Sequence, residues 1–169
     1  MKKIICLLLT SLTILYLSCS KSEDLIDVST IYVTDNNGVP VNKTNDNQWK
    51  LQNFASNEMA LFTDLDTVDL SKTEMPISVE QFPAYPNPFS YFATIRATPK
   101  APYSGSVIIK YVIVNSKLQP MVKKSQRSTT SFDFLVGNDI GSGKYRIYFT
   151  LSSLGNPHFY KSWGNIQKN

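Results

Sequence analysis

Strict alternation of apolar and polar side chains near the carboxyl end constrains the fold of this chain most. Between residues 144 and 151 the apolar positions are Tyr145, Ile147, Phe149 and Leu151. The positions between them are Lys144, Arg146, Tyr148 and Thr150. Successive side chains of a strand point to opposite faces, so this period of two predicts a β-strand with at least one buried face.

Shorter stretches with the same alternation, separated by turn-forming residues, predict several more strands. They cover residues 93–98, 118–122, 132–136 and 158–161, while residues 106–114 are apolar enough on both faces for a central strand. Residues 35–38, Asp-Asn-Asn-Gly, follow a β-branched run and predict a hairpin over residues 30–41. Six to seven short strands predict a mainly β fold, an immunoglobulin-like antiparallel β-sandwich.

One stretch before these strands has helical character instead. Met59, Phe62 and Leu65 recur at helical spacing, and Ser56 can cap the first turn. This pattern predicts one short helix, about residues 57–66, that packs on a sheet through its apolar stripe.

The amino terminus has the order of an export signal. Met1-Lys2-Lys3 precede an apolar stretch over residues 4–17, and a small residue, Ser18, precedes Cys19. The apolar stretch is shorter than the roughly 20 residues that a membrane-spanning helix needs. Residues 1–18 are therefore interpreted as a removed signal peptide.

Residues 14–19, Ile-Leu-Tyr-Leu-Ser-Cys, resemble the lipobox of bacterial lipoproteins, although Tyr16 stands where that family has leucine. The resemblance implies that Cys19 carries diacylglycerol and a further acyl chain such as palmitate, which would attach the protein to the membrane. The alternative is an ordinary secretory signal with an unmodified Cys19.

Residues 20–24, Ser-Lys-Ser-Glu-Asp, resemble the acidic signal of outer-membrane surface lipoproteins of Bacteroidota. The resemblance implies a lipid-anchored location at the outer membrane, on the cell surface. A plain polar tether, with the protein on the periplasmic face, is the alternative.

Length and charge limit the domain organisation and the partners. Removal of residues 1–18 leaves 151 residues, which suits one domain. We expect a lipidated tether over 19–29 and a single β-sandwich domain over 30–169, with a hairpin and helix in 30–76 and the immunoglobulin-like core in 77–169. Loss of Lys2 and Lys3 lowers the net charge to about +2, and the chain has no concentrated basic stripe, which argues against nucleic-acid binding.

A second resemblance covers residues 82–152. Tyr85-Pro86-Asn87-Pro88-Phe89, the strands that follow and Gly143-Lys144-Tyr145 resemble the C-terminal sorting domain of type IX secretion cargo in Bacteroidota. The resemblance implies a β-sandwich and, as an alternative function, a module that a secretion machine recognises. The chain continues to residue 169 beyond the last matching strand and carries its own predicted anchor, as small Bacteroidota outer-membrane lipoproteins do.

Motifs for catalysis, cofactors and metals are not evident in the sequence. His158 is the single histidine, between Pro157 and Phe159, and no glycine-flanked serine elbow or phosphate-binding glycine loop occurs. Asp64, Asp66 and Asp69 lack the spacing of a calcium loop and are interpreted as a solvated acidic face. We expect no catalytic residue, no cofactor and no metal; an envelope hydrolase with a carboxylate pair is the weaker alternative.

The remaining interpretation is a non-catalytic binding or accessory module whose partner is an envelope protein or a glycan. Aromatic side chains are frequent anchors of such interfaces. The candidates, each of which could instead belong to the core, are Trp49, Tyr103, Tyr160 and Trp163. Thr67, in Asp66-Thr67-Val68, resembles the O-glycosylation signal of exported Bacteroidota proteins.

Overall fold

Two antiparallel sheets packed face to face form the protein in the computed structural model. The structure describes residues 23–42, 47–65, 78–100, 105–128, 133–153 and 156–169, with side chains at all of these positions except 156–159. A four-residue helix, α1 (Ser56–Met59), continues as a 3-10 turn, Ala60–Phe62. The strands are β1 (Val79–Tyr85), β2 (Ala93–Pro99), β3 (Val107–Val114), β4 (Pro120–Ser128), β5 (Asp133–Val136), β6 (Gly143–Ser153) and β7 (Asn156–Lys168).

The strand order confirms the predicted immunoglobulin-like antiparallel sandwich. One sheet has the order β1-β2-β5 and the other β4-β3-β6-β7, with every neighbouring pair antiparallel. The fourth strand pairs with the third, at the edge of the larger sheet. In immunoglobulin variable domains an added strand extends the corresponding sheet in the same way.

The main core lies between the two sheets, and the alternate apolar side chains of β6 point into it. Ile147, Phe149 and Leu151 are fully buried there, together with Ile95 of β2 and Ile109 of β3. Full burial of each such side chain contributes about 1.5–3 kcal/mol relative to exposure. The predicted buried face of residues 144–151 is therefore confirmed.

The opposite face of β6 is buried as well, because the amino-terminal part of the chain covers the outside of the larger sheet. Phe54 stacks on Phe62 of the 3-10 turn at 5.8 Å between ring centroids and meets Tyr148 of β6 edge-on at 5.4 Å. Leu61, Val112 and Val114 also belong to this second cluster. The sandwich thus has a third, partial layer.

The helix is shorter than its sequence predicts. Its α-helical turn ends at Met59, and the 3-10 turn ends at Phe62, although the apolar stripe continues to Leu65, which packs on the second cluster. Ser56 is the first helical residue and not the cap, so that prediction is wrong. Instead, the backbone N–H of Ala55 donates to the carboxylate of Glu58 at 2.7 Å. Residue 66 lies outside the described residues.

The predicted hairpin forms as a tight turn without two full strands. Asp35 N–H donates to Val39 O at 3.0 Å, and Thr34 forms a single antiparallel bridge with Pro40. Thr34 also forms an antiparallel bridge with Asn87, which lies in the proline-rich segment after β1.

That proline-rich segment is a structural junction. Both the Tyr85–Pro86 and the Asn87–Pro88 peptide bonds are cis. The fully buried Asn87 amide donates to the carbonyls of Tyr32 and Asn165 at 2.9 and 3.1 Å, and its oxygen accepts from Gln167 N–H at 3.0 Å. One side chain therefore joins the amino-terminal segment, the β1–β2 connection and β7.

Two strands are longer than their sequence patterns predict. The sequence predicts strands over residues 118–122 and 158–161, whereas β4 covers Pro120–Ser128 and β7 covers Asn156–Lys168. Pairing with β3 and β6 over most of their lengths maintains these strands through polar stretches that lack alternation. Within the part of the chain that the structure describes, no helix has the length and apolar character needed to cross a membrane.

Candidate binding cleft

A cleft of about 470 Å³ opens on the side of the sandwich where β1 and β7 are the edge strands. This volume lies in the range of small-ligand sites, roughly 300–1,000 Å³. We call it the β1 cleft, and it is lined by Trp49, Lys50, Leu51, Ser78, Val79, Gln81 and Tyr160.

One wall of the β1 cleft is a chain segment fastened to the edge of β7. Trp49 N–H donates to Trp163 O at 2.7 Å, and Gln52 N–H donates to Lys161 O at 2.9 Å. The Trp49 indole lies directly on Gly164, where a Cβ atom would stand 2.0 Å from the ring. Residues 49–52 therefore cover the β7 edge, and only a glycine at 164 leaves room for the indole.

The other wall is the free edge of β1. Lys100 N–H donates to Ser78 O at 2.8 Å, so Ser78 directs its backbone groups toward β2. Because backbone groups alternate along a strand, Val79 and Gln81 direct theirs away from β2, toward the cleft. Pro99 is the β2 residue opposite Val79, and its backbone has no N–H that could donate to Val79. This agrees with a Val79 backbone that points away from β2. Among the described residues, none pairs with β1 on this side.

Two buried donors of the cleft lining lack hydrogen-bond partners within the described part of the chain: Trp49 Nε1 and Gln81 Nε2. The Tyr160 hydroxyl donates to Gln81 Oε1, which occupies the carbonyl end of that amide. A buried donor without a partner costs about 1–3 kcal/mol, so such groups call for an explanation. Both nitrogens belong to side chains that line the cleft, although the atoms themselves are shielded from solvent.

Tyr160 can serve here as a hydrogen-bond donor and not as a base. Burial raises the pKa of Tyr160 to about 12, so its hydroxyl keeps its proton at physiological pH. The described lining contains no carboxylate and no histidine. The chemistry of the β1 cleft is therefore that of binding through hydrogen-bond donors, the Lys50 side chain and apolar surface.

The structure brings two of the four predicted binding aromatics together. Trp49 and Tyr160 both line the cleft, with only 6% and 5% of their surfaces exposed. Both side chains form walls of the cleft, the Tyr160 hydroxyl donates to Gln81, and neither residue offers an exposed ring face. Trp163 lies on the other face of β7, and Tyr103 is outside the described residues.

Trp163 belongs instead to a buried network that fixes the amino-terminal segment. The Arg146 guanidinium lies 3.9 Å from the Trp163 ring centroid, donates to Asn165 Oδ1 at 2.9 Å and donates to Asp27 O at 2.5 Å. The Tyr148 hydroxyl donates to Glu58 at 2.7 Å, and burial raises the pKa of Tyr148. This network is closed by protein groups, which indicates a structural role.

The other residues that the sequence singled out do not form a site in the described part of the chain. Asp64 pairs with Lys123 at 2.8 Å, which holds the pKa of that carboxyl below its usual range. Lys124 pairs with Asp139, so the two adjacent lysines, Lys123 and Lys124, both have acidic partners. No group of three or more metal-ligating side chains occurs among the described residues.

Several predictions fall where the structure makes no statement. Cys19, Thr67, Asp66 and Asp69 lie outside the described residues. His158 belongs to β7, but its side chain is outside the description.

Sequence reasoning missed Gln81. The residues around it, Val-Glu-Gln-Phe-Pro, alternate too briefly to identify a strand, and Pro83 argues against one. Only the approach of β1 to β7 in three dimensions places the Gln81 amide beside Tyr160.

Comparison of the chain with protein-family models, with curated proteins and with solved structures found no match.

Proposed function

We propose that this protein is a non-catalytic, lipid-anchored cell-envelope protein that binds an envelope or extracellular partner through the β1 cleft. The observation that carries the proposal is the cleft itself, with two buried donors and a strand edge that have no partners among the described residues. The lipid anchor at Cys19, on the surface face of the outer membrane, is the second part of the proposal.

The path of the amino-terminal segment supports this arrangement. Leu25 N–H and Ile26 N–H both donate to Ser116 O, at 2.8 and 3.0 Å, and Ser116 Oγ donates to Asp24 at 2.5 Å. The tether thus meets the sandwich at the β3–β4 turn. Extended chain spans about 3.5 Å per residue, so a lipidated Cys19 would hold this end of the sandwich within roughly 20 Å of the membrane.

The β1 cleft lies toward the other end of the sandwich. Arg146 pairs with Val114, beside the β3–β4 turn, whereas Leu151 pairs with Tyr160 in the cleft. Five residues of strand separate Arg146 from Leu151, a distance of about 17 Å. An anchored protein would therefore present the cleft away from the membrane, which is the arrangement that a surface binding module requires.

The sorting-module alternative has less support. The main core includes Tyr160 and Ile166, and Val79 packs against it; all three lie outside the stretch that resembles a sorting domain. The amino-terminal layer covers the outer face of the larger sheet as well. The folded unit is thus larger than residues 82–152.

Substitution of the predicted lipid-bearing cysteine tests the anchor. We expect Cys19→Ser to leave the precursor unprocessed by lipoprotein maturation and to remove the protein from the outer-membrane fraction. Cys6→Ser is the matched control, because Cys6 lies in the segment that would be removed, and this variant should stay anchored.

Membrane flotation followed by mass determination of the amino-terminal peptide gives the readout. Protease accessibility in intact cells then separates the surface face from the periplasmic face. A Cys19→Ser protein that still floats with outer membranes would contradict the lipoprotein proposal.

A further inference from the structure

We infer that the β1 cleft takes an extended peptide, which adds as a strand to the free edge of β1. This inference rests on the proposed binding function and specifies its ligand class. Its chemistry is that of β-strand addition, in which backbone hydrogen bonds give affinity and alternate side chains fill pockets.

The first support is the direction of the β1 backbone. Val79 and Gln81 line the cleft, and the Ser78–Lys100 hydrogen bond leaves the backbone groups of these two residues pointing into it. A peptide strand lies about 4.8 Å from its neighbour, so it would occupy the space between β1 and residues 49–51. On the far side of this space, residues 49–52 already protect β7.

The second support is the donor set. Trp49 and Gln81 line the cleft, and their shielded donors, Nε1 and Nε2, have no partners among the described residues. A turn of these side chains toward the cleft would bring the donors to peptide carbonyls, which are neutral acceptors that repeat along an extended strand. The apolar side chains of Leu51, which is 48% exposed, and Val79 lie beside them. Alternate apolar side chains of the incoming strand would contact this surface.

The third support is the burial of the aromatic rings, which separates a peptide from a glycan. Sugars are recognised by stacking on open aromatic faces, yet Trp49 and Tyr160 expose 6% and 5% of their surfaces. The cleft therefore offers an edge and donors in place of a stacking platform. The stretch available for pairing, residues 78–82, consists of Ser78 and the first four residues of β1, and it ends where the register shifts after Phe82.

Peptide selection on the processed protein tests the inference. A displayed library of random peptides about seven residues long, which covers the free β1 edge with one residue to spare at each end, is selected against the wild-type protein. Affinities of the enriched peptides are measured by the change in Trp49 fluorescence in a Trp163→Phe background.

Two substitutions at one position separate backbone from side-chain recognition. Gln81→Pro removes an N–H that points away from β2, so it should weaken peptide binding at least about tenfold while the sheet remains paired. Gln81→Leu removes the side-chain amide and keeps the backbone N–H, so binding should fall by less. Melting temperatures of both variants verify that the fold is intact, and N-methylation of alternate peptide amides should abolish binding by the wild type.

Failure to enrich any peptide that competes at this site, or enrichment of peptides indifferent to Gln81→Pro, would overturn the inference. So would saturable binding of cellotriose or maltotriose that Gln81→Leu and Gln81→Pro abolish alike, because that result identifies a glycan site that depends on the side-chain amide and not on the backbone N–H. The anchor test on Cys19 is independent, so failure of peptide binding and failure of the anchored function give different results.

Discussion

Substitution of Gly164 by alanine tests how tightly the wall of the β1 cleft is packed. A Cβ atom on residue 164 would stand 2.0, 2.2 and 2.4 Å from three atoms of the Trp49 ring. Ordinary contacts of a Cβ atom begin near 3.4 Å, so the indole must move by more than 1 Å. Trp49 is 6% exposed and has little space to move within the core.

Two limits bracket the energetic cost. A core that accommodates the extra methyl group by strain loses about 1–3 kcal/mol. Expulsion of the indole instead exposes roughly 200 Å² of apolar surface, which at about 25 cal/mol per Å² corresponds to some 5 kcal/mol. We expect a loss of about 3 kcal/mol, which lowers the melting temperature by roughly 6–12 °C in a chain of this size.

Thermal and urea unfolding of Gly164→Ala measure this loss, with Gly141→Ala as the matched control. A Cβ atom on residue 141 meets nothing within 4 Å, so that variant should stay within about 0.5 kcal/mol of wild type. In a Trp49→Ala background the Gly164→Ala change should cost little, because the clash is gone. Equal stability of Gly164→Ala and Gly141→Ala would refute the packing described for Trp49.

Two further predictions concern the junction at Asn87 and the tyrosine of the cleft. Asn87→Ala leaves Gln167 N–H and two backbone carbonyls without their partners, and we expect it to lower the free energy of unfolding by about 2–4 kcal/mol in urea titrations; an unchanged midpoint would show that the junction is dispensable. Burial raises the pKa of Tyr160 to about 12 in the folded protein, against an ordinary tyrosine pKa of 10.0. Its contribution is therefore fully present below pH 10 and is lost as pH rises toward 12, about 2–3 kcal/mol in all. Urea titrations at pH 9 and pH 11.5 should show a smaller alkaline loss for Tyr160→Phe than for wild type, and equal losses would contradict this assignment.

The sequence predicts the fold class because alternation and turns are local signals. The inner face of residues 145–151 follows from its period of two, and the sandwich follows from the number and spacing of such stretches. The same signals fail for β7, where polar residues are kept in the strand by pairing with β6 over most of its length. They also fail for Arg146, which is only 8% exposed because a distant segment covers it.

The candidate site depends on contacts between residues far apart in the sequence. The aromatic content of the sequence indicates Trp49 and Tyr160 as candidate binding residues. No local sequence pattern indicates that the two line one cleft. The role of Gln81 requires the register of β1 against β2 and the approach of β1 to β7, neither of which a single sequence encodes as a pattern. The Pro-Asn-Pro stretch is evident in the sequence, whereas the function of Asn87 as a junction is not.

Hydrogen exchange along β1 tests most directly the central claim, that the free edge of this strand is the binding site. In the free protein we predict rapid exchange of the Val79 and Gln81 amides and slow exchange of Glu80 and Phe82, whose amides point toward β2. A bound peptide should slow Val79 and Gln81 and leave the other two unchanged. Slow exchange of all four amides in the free protein would mean that this edge is already paired, which would contradict the account.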